Sequence, residues 1–225
     1  MRPVFGRIAV VAAVASATLA MISLGGCISL LPKQKPAQLY RFGAEAPPPP
    51  AAPATSGRVA IRAAPTSFER AAAGDRILTA MGDETAYIAG ARWVTAANIL
   101  FDDAVTNTFD AHPGPARLLA RDEPAVADYV LKLEVRTFEV RYEHGRGAPP
   151  VVVVELYAAL VGRANAITSG SQLFRAEAPA DTDAVHAIAH AFDVAVGKVL
   201  GDMVAWVDSK AAVDSKAGAD GKTGR

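Results

Sequence analysis

From Tyr129 to Val161 the chain carries a pattern that a long β-hairpin satisfies and a helix does not. Tyr129, Leu131, Leu133 and Val135 alternate with Lys132, Glu134 and Arg136. A period of two puts the apolar set on one face of a strand. The phase then slips: Phe138, Val140 and Tyr142 become the apolar set, opposite Glu139, Arg141 and Glu143. A one-residue slip inside one strand predicts a β-bulge near Arg136 and Thr137, because without it every later side chain would change faces. Glu143 to Pro150 holds two Gly and two Pro and reads as the connection. Val151 to Val161 is apolar except at Glu155, which predicts a central strand covered on both faces.

Weaker signals surround this hairpin. Gln38 to Phe42, Arg58 to Ala63 and Ile77 to Met81 read as strands. Gly82-Asp83 would turn the last of these back into Thr85 to Ala89. After Trp93 a helical stripe runs through Val94, Ala97, Phe101, Ala104 and Thr108, widened by Val105. His112-Pro113-Gly114-Pro115 ends it. Gln172 to Ala176 is a shorter third strand. The last helix is expected over Thr182 to Val207, with Asp181 as N-cap and Asp183 in the first turn. Its stripe is Val185, Ile188, Phe192, Val196, Val199, Met203 and Trp206, with Ala189, Ala195, Leu200 and Val207 beside it. The order predicts a single α+β domain, mainly antiparallel, with two principal helices on one face of the sheet.

The termini differ from this middle. Arg2 and Arg7 precede the uncharged stretch Ile8 to Ile22, whose 15 residues fit a signal-peptide h-region. That is short for a membrane span, which needs about 20 apolar residues. It leads to Leu24-Gly25-Gly26-Cys27, which resembles the bacterial lipobox, and Cys27 is the chain's single cysteine. The resemblance implies cleavage after residue 26 and diacylation of Cys27, so that the acyl chains hold the protein on a membrane. Ile28 stands where Asp would resemble an inner-membrane retention signal, which points to the outer membrane. Residues 27–37 then form a tether, residues 38–207 the domain, and residues 208–225 a polar tail expected to be disordered. In that tail Val207-Asp-Ser-Lys-Ala-Ala is echoed by Val213-Asp-Ser-Lys-Ala-Gly. Inside the domain, residues 44–57 are Ala/Pro-rich, with prolines at Pro47 to Pro50. This reads as a polyproline-like spacer, with a proline-recognition ligand as the sharper alternative.

Composition and motifs narrow the function. The 23 Lys+Arg balance 23 Asp+Glu, and loss of the two signal arginines leaves 21 against 23, net −2. A nucleic-acid partner is not expected from that balance. One cysteine leaves no intrachain disulfide and no Cys-rich zinc site. No Gly-x-Ser-x-Gly elbow and no phosphate-binding loop occurs, and Gly170-Ser171 is expected in a turn. The chain reads as a non-enzyme without a cofactor. His186, His190 and Asp193 share one helix face, a spacing that reads as a polar flank and not a metal site. Trp93, Phe138, Phe192 and Trp206 either line a lipid groove or pack the core, and their phase with the buried faces favours the core. Partner surfaces are expected on the exposed side of the helix near Val94 and on the sheet edge near Gln172.

Ala91-Arg92-Trp93 before a helix, Ala127-Asp128-Tyr129-Val130-Leu131 leading to Phe138, and Ala191-Phe192-Asp193 leading to Trp206-Val207 are similar to the ABC-type transport auxiliary lipoproteins. Tyr40-Arg41-Phe42 resembles that family's first strand. The resemblance covers about Gln38 to Val207. It implies a periplasm-facing, lipid-anchored subunit that binds the MCE-domain protein of an ABC system moving lipid between membranes. A homo-oligomer is one arrangement it allows. A general envelope-assembly lipoprotein and a lipid-binding carrier are the alternatives.

Overall fold

The computed structural model describes residues 36–43, 58–145, 147–163 and 168–220. The chain divides into two compact units, Met1–Pro36 and Ala37–Arg225, and everything below concerns the second. The signal segment 1–26, Cys27, most of the tether and the Ala/Pro stretch 44–57 lie outside the described residues.

Among the described residues a nine-stranded sheet is built around β7 (Tyr129–Arg141). Its partner on one side is β8 (Val151–Gly162), antiparallel, and β8 pairs in turn with β9 (Thr168–Pro179). The other side of β7 is shared by three short parallel strands in succession. These are β2 (Val59–Ala63) against Tyr129–Leu131, β3 (Ser67–Phe68) against Glu134–Val135, and β4 (Arg76–Met81) against Val140–Arg141. A single run of chain thus follows β7 from end to end. Beyond β4 lie β5 (Glu84–Trp93), antiparallel, and β1 (Gln38–Tyr40), parallel to β5. Beyond β2 lies β6 (Ala116–Leu118), also parallel. The α+β class agrees with the sequence expectation, but the sheet is mixed. The antiparallel pairings are the long ones, and the short strands alongside β7, β5 and β2 are parallel.

The β7–β8 register shifts between Val135 and Thr137 and leaves Arg136 without an opposite residue. This is the bulge the phase slip requires. On one face of the sheet it keeps Leu131, Leu133, Val135, Phe138 and Val140 over Leu160, Ala158, Leu156, Val154 and Val152. That face is covered by α1 (Ala97–Ala111) and α2 (Val185–Asp220). The other face of β8 is only partly covered. Val153 is buried there, while Glu155, Tyr157 and Ala159 are half-exposed. The doubly covered strand expected from composition is therefore covered by helices on one side alone.

Both helices begin later than the periodicity reading, and α2 also ends later, whereas α1 stops at Ala111, directly before the His112-Pro113-Gly114-Pro115 turn expected to end it. Helix α1 starts at Ala97, leaving Val94 outside it and exposed, and its buried stripe ends on Phe109. Helix α2 starts at Val185. The turn before it is fixed by Thr182, whose hydroxyl accepts from the Ala184 amide at 3.3 Å, so Asp181 is not the N-cap. At its far end α2 continues past Val207 to Asp220, and residues 208–220, expected in a disordered tail, are helical. Two side chains explain the continuation. Ala211, four residues after Val207, extends the stripe and is fully buried. Asp208 is 9% exposed, yet its carboxylate accepts from the Ala116 amide at 2.9 Å and pairs with His112 Nε2 at 3.0 Å. A buried carboxylate with two such partners is a satisfied one. Gly114 lies directly against it, where an added Cβ would collide with the carboxylate. The His-Pro-Gly-Pro turn and the end of α2 thus form one junction.

Candidate functional site

The segments that carried the family resemblance meet in the core. Phe138, the first core residue after the bulge, stands 4.7 Å from Phe192, 5.2 Å from Phe42, 5.2 Å from Phe68, 6.3 Å from Trp93 and 6.5 Å from Phe101 between ring centroids. Trp93 meets Phe42 at 5.0 Å and Phe192 at 5.1 Å, both edge to face. Offset and edge-to-face pairs at these distances are favourable beyond the area they bury. Trp93, Phe138 and Phe192 are essentially inaccessible, and they fill the space between sheet and helices. Trp206 is placed apart from them. It is half-buried, with its ring 5.9 Å from Phe174 near the outer edge of the sheet.

The polar residues of the same segments secure chain crossings. Asp193 Oδ1 accepts from the Gly43 amide at 2.7 Å, and Asn107 of α1 donates to the Gly43 carbonyl at 3.2 Å. Gly43 has φ +66°, a left-handed conformation that favours glycine. Both helices therefore grip the chain just after β1. Asp193 has this structural partner, and among the described residues no cluster of three His, Cys, Asp or Glu could hold a metal ion. Asp128 accepts from the Ala60 amide at 2.8 Å and fixes the start of β7 against β2. Arg92 forks onto Asp75 at 2.8 and 3.0 Å.

Arg62 was not singled out by the sequence. Its guanidinium donates to the carbonyls of Glu123 at 3.0 Å and Ala125 at 2.9 Å, and more loosely to those of Ala120 and Arg121. A cation inside the otherwise apolar run Val59–Ala63 was the available signal. It organises the loop that forms one wall of a cleft of about 520 Å³. Asp102 and Asp110 of α1 and Thr66 form the opposite wall. Asp102 accepts from the Thr66 hydroxyl at 2.6 Å and from Arg121 at 3.0 Å. Glu123, hydrogen-bonded by Arg117, is held below the ordinary carboxylate range. The Asp102–Arg121 pair joins the two walls, and Glu123 is paired with Arg117 of β6.

The sheet face away from the helices is a ladder of ion pairs. Glu155 accepts from the Thr137 hydroxyl at 2.7 Å and from Arg175 at 2.6 Å. Arg175 also bonds Glu177, Arg136 bonds Glu134 and lies over the Tyr157 ring, and Arg141 bonds Glu139. The Thr137 hydroxyl first, and Arg175 second, hold the Glu155 carboxyl below its ordinary value. A carboxylate with a depressed folded value stabilises the protein above the unfolded value, about 4.3 for Glu. That contribution is lost as pH falls through the lowered folded value. Glu155→Gln is expected to lose about 1 kcal/mol at neutral pH. The difference from wild type should shrink as pH falls below the unfolded value and through the lowered folded one, where the native carboxyl protonates. Urea denaturation at neutral pH and along an acid series reads it, and a pH-independent difference would show that the carboxylate charge is not what Thr137 and Arg175 stabilise.

Ser171, expected in a turn, lies within β9 opposite Ala159. Among the described residues six large apolar side chains are exposed, Val126 of the loop before β7 among them. Leu39 is exposed on β1, and Val94 (47% exposed) follows β5, its amide donating to the Tyr40 carbonyl. Ile99 (49% exposed) is in the first turn of α1. Leu173 and Val194 flank the outer edge of β9, Leu173 on the strand and Val194 on α2. Among the described residues no helix is long and apolar enough to cross a membrane.

The profile of the ABC-type transport auxiliary lipoprotein component family matches residues 40–204. No curated protein matches the chain. A crystal structure of a Xanthomonas campestris protein is 25% identical, with TM-score 0.65 over 80% of this chain and 99% of that one. An uncharacterized protein (12% identity, TM-score 0.59, 77% and 99% covered) has the same fold. So does a hypothetical protein of Chlamydia trachomatis (8%, 0.50, 69% and 99%). The matched span runs from Tyr40 in β1 to Val204 in α2 and takes in the aromatic core and the Asp128 and Asp193 clamps. The chain belongs to the ABC-type transport auxiliary lipoprotein component family.

Proposed function

We propose that this protein is a non-enzymatic, lipid-anchored subunit of an ABC/MCE-type system that moves lipid between membranes. In this reading it binds the MCE component on the periplasmic side. The observation that carries the reading is the family match over residues 40–204. The Leu24-Gly25-Gly26-Cys27 motif ahead of it supports the anchor. Cys27 is the acylated residue, and Ile28 after it favours the outer membrane. Eleven residues from Cys27 to Ala37 span at most about 36–40 Å when fully extended, so the domain works close to the bilayer that holds it.

The partner surface is the β1 end of the domain. Leu39, Val94 and Ile99 are large exposed apolar side chains, and an aliphatic anchor at the centre of an interface is strongly disrupted by a charge. Ile99→Asp leaves the core unchanged, since Ile99 is not part of it. It is expected to weaken binding to the MCE protein at least about tenfold, an effect of about 1.4 kcal/mol, with melting temperature preserved. Surface-immobilised MCE protein and purified full-length chain measure it. Unchanged affinity would move the contact elsewhere. The proposed function also requires genes for a permease, an ATPase and an MCE protein beside the gene for this chain. Their absence, with no MCE protein co-purifying, would sink it.

A further inference from the structure

β1, β3 and β6 have two or three residues each, β5 is without a strand partner on its outer side only over Glu84–Gly90, and the longest free edge among the described strands is that of β9, with 12 residues. Edges of that length are normally interrupted by Pro, Lys or a bulge. Between Gly170 and Ala178 β9 has no Pro and no Lys, and its register to β8 is unbroken from Gly170 to Pro179. Among the described residues nothing pairs with its outer side.

We propose that this edge pairs with β9 of a second copy, antiparallel about a two-fold axis at Ala176. The backbone sets the first condition. The Ala180 amide points toward β8, donating to the Pro150 carbonyl at 2.9 Å. Amides alternate along a strand, so those of Phe174, Ala176 and Ala178 also point toward β8, and those of Leu173, Arg175 and Glu177 point outward. A two-fold at Ala176 sets Arg175 opposite Glu177 of the other copy, outward group to outward group, so the two residues exchange both backbone hydrogen bonds. The Leu173 amide then faces the Pro179 carbonyl, the one ladder group a proline still offers.

Charge selects this register from its neighbours. A two-fold at Arg175 sets arginine against arginine, and one at Glu177 sets glutamate against glutamate, both unfavourable across strands. Centred on Ala176, each Arg175 meets a Glu177 and can keep its bond to Glu155 of its own chain. Leu173, 50% exposed on the open face, falls beside Pro179 of the other copy. On the helix side, a groove of about 210 Å³ runs between Glu177–Asp181 and the α2 residues Ala187, His190, Ala191 and Val194. Val194, also 50% exposed, borders the groove that the second copy would close. The pairing joins two sheets into one and places α2 of both copies side by side. It does not rest on the transporter reading.

Full-length chains carrying Arg175→Cys and Glu177→Cys, purified in detergent, mixed and oxidised, test it. Directly opposed hydrogen-bonded residues have Cα atoms about 5.5 Å apart, within disulfide range, while two copies of the same residue would be roughly 8–9 Å apart. The mixture should give a 175–177 interchain disulfide, mapped by peptide mass spectrometry, at least about tenfold above any like-with-like product. Equal cross-linking by either variant alone, capture of a different protein in place of a second copy, or no product would overturn the proposal. Unsubstituted protein provides a check that no variant's folding affects: sedimentation should show a dimer, and a monomer throughout up to about 100 μM would overturn it.

Discussion

Replacing Phe138 by alanine is expected to cost about 3–5 kcal/mol of folding stability. Phe138 is 1% exposed and touches five other aromatic rings, drawn from the segment after β1, from β3, from β5 and from both helices. No neighbour can relax into the vacated space without leaving another of these contacts. A domain of this size has about 5–15 kcal/mol to lose, so the variant should unfold at much lower urea or fail to accumulate. Trp206→Ala should cost less, because its indole is half-buried at the edge of the core, where its ring meets Phe174 at 5.9 Å. The comparison separates core packing from a lipid-lining role. If Phe138→Ala kept its stability and altered only lipid retention, the ring would be lining a passage and not filling the core.

The second large effect is expected at Cys27. Each acyl CH₂ buried in the bilayer is worth about 0.8 kcal/mol, so one chain anchors marginally and several anchor stably. Cys27→Ala removes the only sulfur available for acylation in the chain. The variant should either leave the membrane fraction or accumulate as the unprocessed precursor, with its full N-terminal segment attached. Fractionation of cells followed by intact-mass measurement distinguishes these outcomes from the wild type. A variant with the processed mass that stays in the membrane fraction would overturn acylation at this residue.

The long elements were readable in the sequence because a periodic pattern needs length to stand out. Thirteen residues of β7 carried both the alternation and its slip, and the bulge at Arg136 followed. The α2 stripe from Ile188 to Val207 was equally plain. The pairing of β2, β3 and β4 along β7 was not readable, since strands of two to six residues carry no register of their own. β9 was read as Gln172 to Ala176 and spans Thr168–Pro179, because its core-facing side is largely alanine and glycine, a weak apolar signal. The end of α2 was missed for a different reason. Asp208 looks like tail composition until its partners, Ala116 and His112, are known to lie 92 and 96 residues earlier in the chain.

The candidate site divides the same way. Trp93, Phe138 and Phe192 were identified by their phase, and the structure brings them into one cluster. Asp128 and Asp193 sat inside the family-like segments, but their roles as acceptors for Ala60 and Gly43 depend on crossings that no local pattern records. The exposed residues Leu39, Val94 and Ile99 carry no periodic signal as a surface, because a surface is defined by what fails to pack on it.

The proposed role of this chain is that of a subunit of an ABC/MCE transporter. The most direct measurement is purification of the tagged full-length protein from envelope membranes in mild detergent, with quantitative mass spectrometry of what accompanies it. An MCE-domain protein is expected in near-stoichiometric amount, and it should be lost from the Ile99→Asp preparation. A cell-wall or outer-membrane assembly protein as the dominant partner, with no MCE protein above background, would contradict it.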